Sequence, residues 1–435
     1  MRPAPASGPA PTARRTSWSL EVEVELVTRL FGGGARAREL DEVSWLRPAA
    51  LKSALRAWWR AGRCHDCKTL AELRGREQEL FGSPGAYDGA GRPVGGPGLL
   101  AVEVEAAAPS KTEAYGGKPS SPLHVALFAA AGMGQGKEPA RLALPGNTRA
   151  VVRLATPAAA PSPGCRAHDE IMAALRLWLT LGGMGARTRR GAGAIAVSRP
   201  EGAERLGLPA SADQLDAFLR TACRPWNVEA ELDGIFSLAR TWQVFAGRVL
   251  ADAEQAQGDL LSALRRARQD RPAAQAGRWG RSAWPEADAI RLKSLGSYVH
   301  IPDPKNAGRY PRAALGLPIV MHYKDRPPKE PPEQQILAAR PAARGGWDKI
   351  ERYASPILLR PVAVWEKGQR RYVPVALFTR CTLPPAARPW VTSEPSKQVA
   401  PEDVIASYAI REHAEETLAR VATAFGGDFR PLLGV

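Results

Sequence analysis

The chain has 435 residues, of which 44% are hydrophobic and 24% charged, a balance that excludes wholesale disorder and leaves room for two or three domains at roughly 150 residues each. Sixty Lys and Arg against 44 Asp and Glu give a net charge of +16, which favours a polyanionic partner, nucleic acid or an anionic membrane face. An arginine-rich composition inherited from a GC-rich genome would give the same balance. No run of about 18 apolar residues occurs, so no membrane span is expected. The N-terminus has no apolar signal core, and five cysteines fit free thiols in a reducing cytoplasm better than a disulfide framework.

Residues 1–16, rich in Pro, Ala and Arg, read as a disordered tail. From 18 to 30, Leu20, Val22, Val24 and Leu26 alternate with Glu21, Glu23 and Glu25, the period of a half-buried strand. Residues 47–63 have helical spacing with Pro48 in the first turn, and 69–82 form a second helix closed by Gly82. A Gly- and Pro-rich loop (83–98) leads to strands at 99–107 and 148–156, with 108–146 as a surface insertion. After a linker (157–164), the helix 168–180 presents Ile171, Leu175, Trp178 and Leu179 on one face. A glycine-rich turn and a strand at 192–198 close the unit. The order strand, helix pair, strand, strand, helix, strand is the βαββαβ pattern of a ferredoxin-like (RRM-like) fold.

Beyond residue 200 the pattern is weaker. Residues 241–270 read as helical, with 264–272 a basic exit. A strand is predicted at 311–323, a hairpin from 355–367 and 371–380, and a terminal helix over 401–427. The domain reading is a tail (1–16), a first unit (17–200) and a second, elaborated unit (201–435).

Two segments carry cationic chemistry. Helix 47–63 holds five basic residues and no acidic one, and Lys52, Arg56, Arg60 and Arg63 share one sector. Trp59 is expected at the edge of that stripe, with Leu51, Leu55 and Trp58 facing the core. Charge for phosphates beside a ring for bases suits RNA, while a solvated basic face would show the same pattern. The second segment is 182–193, where Gly182, Gly183, Gly185, Gly191 and Gly193 surround Arg187, Arg189 and Arg190. Glycines allow close backbone approach to an anion, and guanidinium forks fit phosphate. No GK[ST] closes this turn, and it follows a helix, so it is neither a Walker loop nor a dinucleotide fingerprint. A mobile surface loop is the bland alternative.

Cys64-His65-Asp66-Cys67 and Cys165-Arg166-Ala167-His168 have metal-like spacing, and Cys64, Cys67, Cys165 and His168 could form a zinc site. In a βαββαβ unit the end of the first helix lies far from the start of the second, which favours free thiols. No paired-carboxylate or triad pattern is present, and no cofactor is expected.

Residues 46–61 (LRPAALKSALRAWWRA), 77–83 (EQELFGS) and 177–195 (LWLTLGGMGARTRRGAGAI) together resemble the RAMP superfamily of CRISPR proteins, closest to the subunit-one branch of the type III-B Cmr module. The three motifs occur in the family's order, and LGLPIV (315–320) and SPILLRPV (355–362) resemble its second half. Ser53 stands where the family usually has glycine. The resemblance implies two ferredoxin-like RAMP domains with insertions. It also implies a cytoplasmic, non-catalytic subunit that holds the 3′ region of the guide RNA, meets target RNA and sister RAMP subunits, and serves antiviral defence. By motif position, Lys52, Arg56, Trp59, Arg60 and the loop would contact RNA. Other RAMP proteins cut precursor guide RNA without a metal. That alternative needs a catalytic histidine near the loop, with His124 and His168 the candidates in the first unit.

Overall fold

In the computed structural model Glu21 and Glu23 of the first strand lie on one open sheet face, whereas Glu25 on the same side is buried. The structure describes residues 16–32, 39–41, 43–87, 93–106, 112–114, 142–157, 167–223, 235–269, 282–293, 302–322, 334–340, 353–383, 386–393, 404–405 and 408–433. Residues 1–15 of the predicted tail (1–16) and most of the insertion 108–146 lie outside them, and Thr16 already begins a strand.

The first half begins with β1 (Thr16–Leu26) and β2 (Leu30–Phe31). Next come α1 (Pro48–Arg63), entered through Pro48, and α2 (Leu70–Phe81), capped by the Thr69 hydroxyl accepting from the Glu72 amide. The predicted loop at 83–98 holds a small hairpin, β3 (Ser83–Tyr87) and β4 (Pro93–Gly96). Then follow β5 (Ala101–Ala106), β6 (Glu113–Ala114), β7 (Leu142–Leu144), β8 (Arg149–Pro157), α3 (Ala167–Leu181) and β9 (Ile195–Val197). The main sheet runs β5-β8-β1-β9, every neighbouring pair antiparallel. Register places Val22 opposite Val152 and Glu21 opposite Arg153. Val22, Val24 and Leu26 therefore face α1 and α3, while Glu21 and Arg153 form an ion pair on the open face.

Two helices absent from the sequence reading follow, α4 (Pro200–Leu206) and α5 (Ala212–Ala222). The predicted helix 241–270 divides: β10 (Thr241–Ala246) precedes α6 (Ala253–Gln269). The TWQVFA run carries aromatic and β-branched residues, and pairing on both sides settles it as a strand. After α7 (Glu286–Lys293), a 3-10 turn (Pro311–Leu315) replaces the first part of the strand predicted at 311–323, and β11 (Ile319–His322) the second. The remaining elements are β12 (Gln334–Arg340), β13 (Ile357–Glu366), β14 (Gln369–Thr379), β15 (Arg388–Ser393), β16 (Val404–Ile405), α8 (Ala414–Gly426) and β17 (Arg430–Leu433). The predicted hairpin is present as β13 and β14, joined through Lys367-Gly368. The terminal helix starts at Ala414, later than expected, and is followed by an unforeseen strand.

The second main sheet runs β13-β14-β10-β17. With α6 after its first strand and α8 before its last, it repeats the strand order of the first sheet. A further sheet, β11-β12-β15-β16, comes from segments inserted around that unit. One face of the second sheet packs on Leu260, Leu264, Val421 and Phe425 of α6 and α8. Its other face joins Ala61, Leu177 and Leu181 of the first half through Leu358, Val362 and Val375. The halves thus share an apolar seam, and Arg370 of β14 reaches across to the buried Glu25 of β1.

Candidate anion-binding cleft

The cationic stripe of α1 forms as predicted but is committed to its own half. Lys52 Nζ donates to Leu100 O at 3.1 Å, Arg56 donates to Gly82 O, and both Arg56 and Arg60 pair with Glu77. Burial, then the neighbouring Arg56 charge, lowers the Lys52 pKa. These cations fasten α1 to the segment 77–100, which contains the EQELFGS motif. Trp59 does not sit at the stripe's edge: it is 1% exposed, and its Nε1 donates to Glu170 at 2.5 Å. Trp58 is the half-buried one, edge-on to Phe236 near the seam. The reason is spacing. Leu51, Leu55 and Trp59 recur every four residues and line the sheet-facing side, whereas Trp58 lies about 100° away, on the side covered by the second half.

The glycine–arginine loop is not a mobile surface segment. Its neck is an antiparallel bridge between Gly183 and Ala194, with Met184 N donating to Gly193 O at 2.9 Å. Gly193 has φ +60, and a Cβ there would lie 1.9 Å from Met184 O, so only glycine fits. The first half holds the loop through Ala186 N to Phe31 O, Gly193 N to Arg29 O and Thr28 Oγ1 to Gly191 O, each 2.7 Å. The second half holds it through Leu359 N to Arg189 O at 3.0 Å and Gln257 Nε2 to Arg190 O at 2.9 Å. Arg189 also donates to Ser355 O at 2.7 Å and lies 4.7 Å over the Phe236 ring, so part of its role is packing. Arg187 is exposed and adopts φ +64, a left-handed conformation that a non-glycine residue rarely takes.

The loop forms one wall of a cleft of about 620 Å³ between the two halves. Six arginines line it: Arg187, Arg189 and Arg190 from the loop, Arg265 and Arg268 from α6, and Arg312 from the 3-10 turn. Leu317, Pro318, Tyr353 and Ser355 complete the lining. Arg312 pairs with the fully buried Glu286 at 2.9 Å and also reaches Arg268 O. Burial, then the charges of Arg268 and Arg187, pulls the Arg190 pKa down to about 9. Burial, then Arg312, lowers Arg268 to about 10, with Glu286 opposing. Crowded, partly desolvated guanidiniums are electrostatically uncomfortable alone and are relieved by an anion with several oxygens. The described lining contains no histidine and no carboxylate. Sequence reasoning missed Arg265, Arg268 and Arg312. The basic exit at 264–272 marked the first two, but nothing local showed that it faces the loop.

Of the metal-like set, Cys64 and Cys67 are buried, and burial raises both thiol pKa values. His168 is exposed, stacks edge-on with Trp18 at 5.1 Å and has Nδ1 2.8 Å from Asp169. Cys165 and His124 lie outside the described residues. Among those described, no group of three or more His, Cys, Asp or Glu side chains is arranged to hold a metal ion. No described helix is long and apolar enough to cross a membrane.

Residues 23–118 match the family model of the RAMP superfamily. Among solved structures, the chain is similar to Cmr1 from Pyrococcus furiosus in its apo form, at 16% identity and a TM-score of 0.47, over 96% of this chain and 99% of that one. It is also similar to a chain of the Type III-B Cmr-beta complex bound to cognate target RNA, at 9% identity and a TM-score of 0.45, over 93% and 99% of the two chains. No curated protein matches the sequence.

Proposed function

We propose that this chain is an RNA-binding subunit of a type III-B CRISPR (Cmr) effector, holding the 3′ region of the guide RNA beside target RNA and sister RAMP subunits. The observation that carries the reading is the convergence of six arginines on one cleft, half of them from the glycine–arginine loop. The RAMP match over 23–118 and the three motifs in family order supply the CRISPR context. Two sheets that share one strand order support two ferredoxin-like units, over 17–200 and 201–435. Within the complex the subunit binds and positions RNA, serving antiviral defence, while cutting belongs to its neighbours.

Arg187 and Arg190 are the loop side chains to test, because Arg189 also supports the fold. Each charge-assisted contact contributes on the order of 1.5 kcal/mol. Replacing both with alanine is therefore expected to weaken single-stranded RNA binding about 100-fold in a filter assay. Unchanged affinity with an unchanged melting temperature would remove the cleft from the RNA path. In the same assay, repeat-containing RNA should stay intact with the protein alone, and site-specific cleavage would favour the processing endoribonuclease instead.

A further inference from the structure

We propose that Arg360 is a positioning residue: one buried guanidinium, supplied by the second half, clamps the two stems of the glycine–arginine loop and so shapes the anion cleft. Arg360 lies on β13 and is 1% exposed. Its Nε donates to Thr180 O at 3.2 Å, in the last turn of α3, and its Nη2 donates to Ile195 O at 2.8 Å, the first residue of β9. Thr180 and Ile195 are the residues through which the chain enters and leaves the loop region. A single planar group therefore ties entry to exit.

The chemistry suits arginine in particular. Carbonyls in the last turn of a helix lack intrahelical partners and carry the negative end of the helix dipole, which favours a cation there. A guanidinium presents rigidly diverging donors that can serve two carbonyls, whereas a lysine ammonium acts as a point charge on a flexible stem. Burial alone pulls the Arg360 pKa down to about 9, with no carboxylate charge opposing it among the described residues. Such burial is costly, and here two carbonyls offset part of it, with Nη1 buried without a hydrogen-bond partner among the described residues.

The loop is built around this side chain. A Cβ on Gly183 would lie 3.3 Å from Arg360 Nη1 and 2.7 Å from Gly193 O, so the neck closes over the guanidinium only with glycine at that position. The preceding residue of the same strand, Leu359, holds the tip by donating its backbone N–H to Arg189 O. Two adjacent residues of β13 thus fix neck and tip, and the placement of Arg187 and Arg190 depends on docking of the halves. The clamp stands on this geometry alone; its effect on RNA rests on the function proposed above.

The full-length protein is compared with Arg360→Met, which keeps the stem and removes the fork, and with Arg360→Lys, which keeps charge. Val421→Ala, in the separate core between α6 and α8, controls for general destabilisation. Limited trypsin digestion mapped by mass reads exposure of the Arg187–Arg190 backbone. Both Arg360 variants should be cut there about tenfold faster than the Val421→Ala protein at the same interval below the melting temperature. The log–log salt dependence of RNA affinity should also become shallower by about 1.4, two contacts at roughly 0.7 each. Loop cleavage no faster than in Val421→Ala, or full rescue by lysine, would overturn the clamp. If the unmodified protein binds no RNA, the proposed function fails while the digestion result still decides the clamp.

Discussion

Trp59 shows how one residue can be misplaced by pattern and corrected by its contacts, whereas Arg187 lies on the loop where pattern put it. Trp59 has a core ring, and its indole N–H satisfies Glu170, which also accepts from Arg76 at 2.9 Å. Trp59→Phe keeps most of the buried ring and removes a hydrogen bond to a charged acceptor, worth about 1.5–3 kcal/mol. Urea unfolding should show a loss in that range, with RNA affinity unchanged within about twofold. A large affinity loss at unchanged stability would return the ring to the RNA surface. Arg187 has the opposite profile. Its left-handed backbone costs about 1 kcal/mol for a side-chain-bearing residue. Arg187→Gly should therefore match or exceed the parent in stability by up to about 1 kcal/mol, part of the gain being lost to the freer unfolded chain. Its RNA affinity should drop about tenfold, and a variant that lost stability instead would place Arg187 among the structural residues.

Among the elements, the loop and α6 act as facing walls. The C-terminal part of α6 brings Arg265 and Arg268 to the cleft, where, after burial, the Arg268 charge lowers the Arg190 pKa and the Arg312 and Arg187 charges lower that of Arg268. Replacing Arg265 and Arg268 with alanine should cost RNA binding 10- to 100-fold, as in the loop variant. Thermal stability without RNA should stay level or rise, because like charges are removed. Equal RNA binding in this variant and the parent would confine the anion site to the loop. The cations of α1 belong to a different arrangement, since their hydrogen bonds and the Glu77 ion pairs hold α1 against α2 and the following turn.

Across the whole molecule, the cleft exists because two similar units pack through Leu177, Leu181, Leu358 and Val362 and through the Glu25–Arg370 pair. An anion seated there touches both units and should raise the melting temperature as well as bind. With three to six phosphates contacted, log affinity for single-stranded RNA should fall against log salt with a slope of roughly −2 to −4. At a slope near −3, raising salt from about 50 to 200 mM lowers affinity by about two orders of magnitude. Titration by fluorescence anisotropy at several salt concentrations measures this directly. A flat salt dependence would mean that the net charge of +16 is spread over the surface and not used at the cleft.

The first half was legible in the sequence because its signals are local. Alternation in β1 fixes a sheet face, Pro48 and Thr69 mark helix starts, and glycines with arginines mark the loop. Those same signals determined the order of the four main-sheet strands and three helices up to residue 198 and the identity of three cleft arginines, but not the short strands between them. Tertiary structure decided the rest. The TWQVFA run became a strand only because β14 and β17 pair with it. Trp58 and Trp59 exchanged roles because α1 packs on two surfaces, and a single sequence shows just one amphipathic period. Arg265, Arg268 and Arg312 joined the loop across 75 or more residues of chain, and Arg360 reached its neck from β13. Spacing along the chain encodes which neighbours share a face within one element. It carries no information on which distant guanidinium meets which carbonyl, because that depends on how two finished units dock.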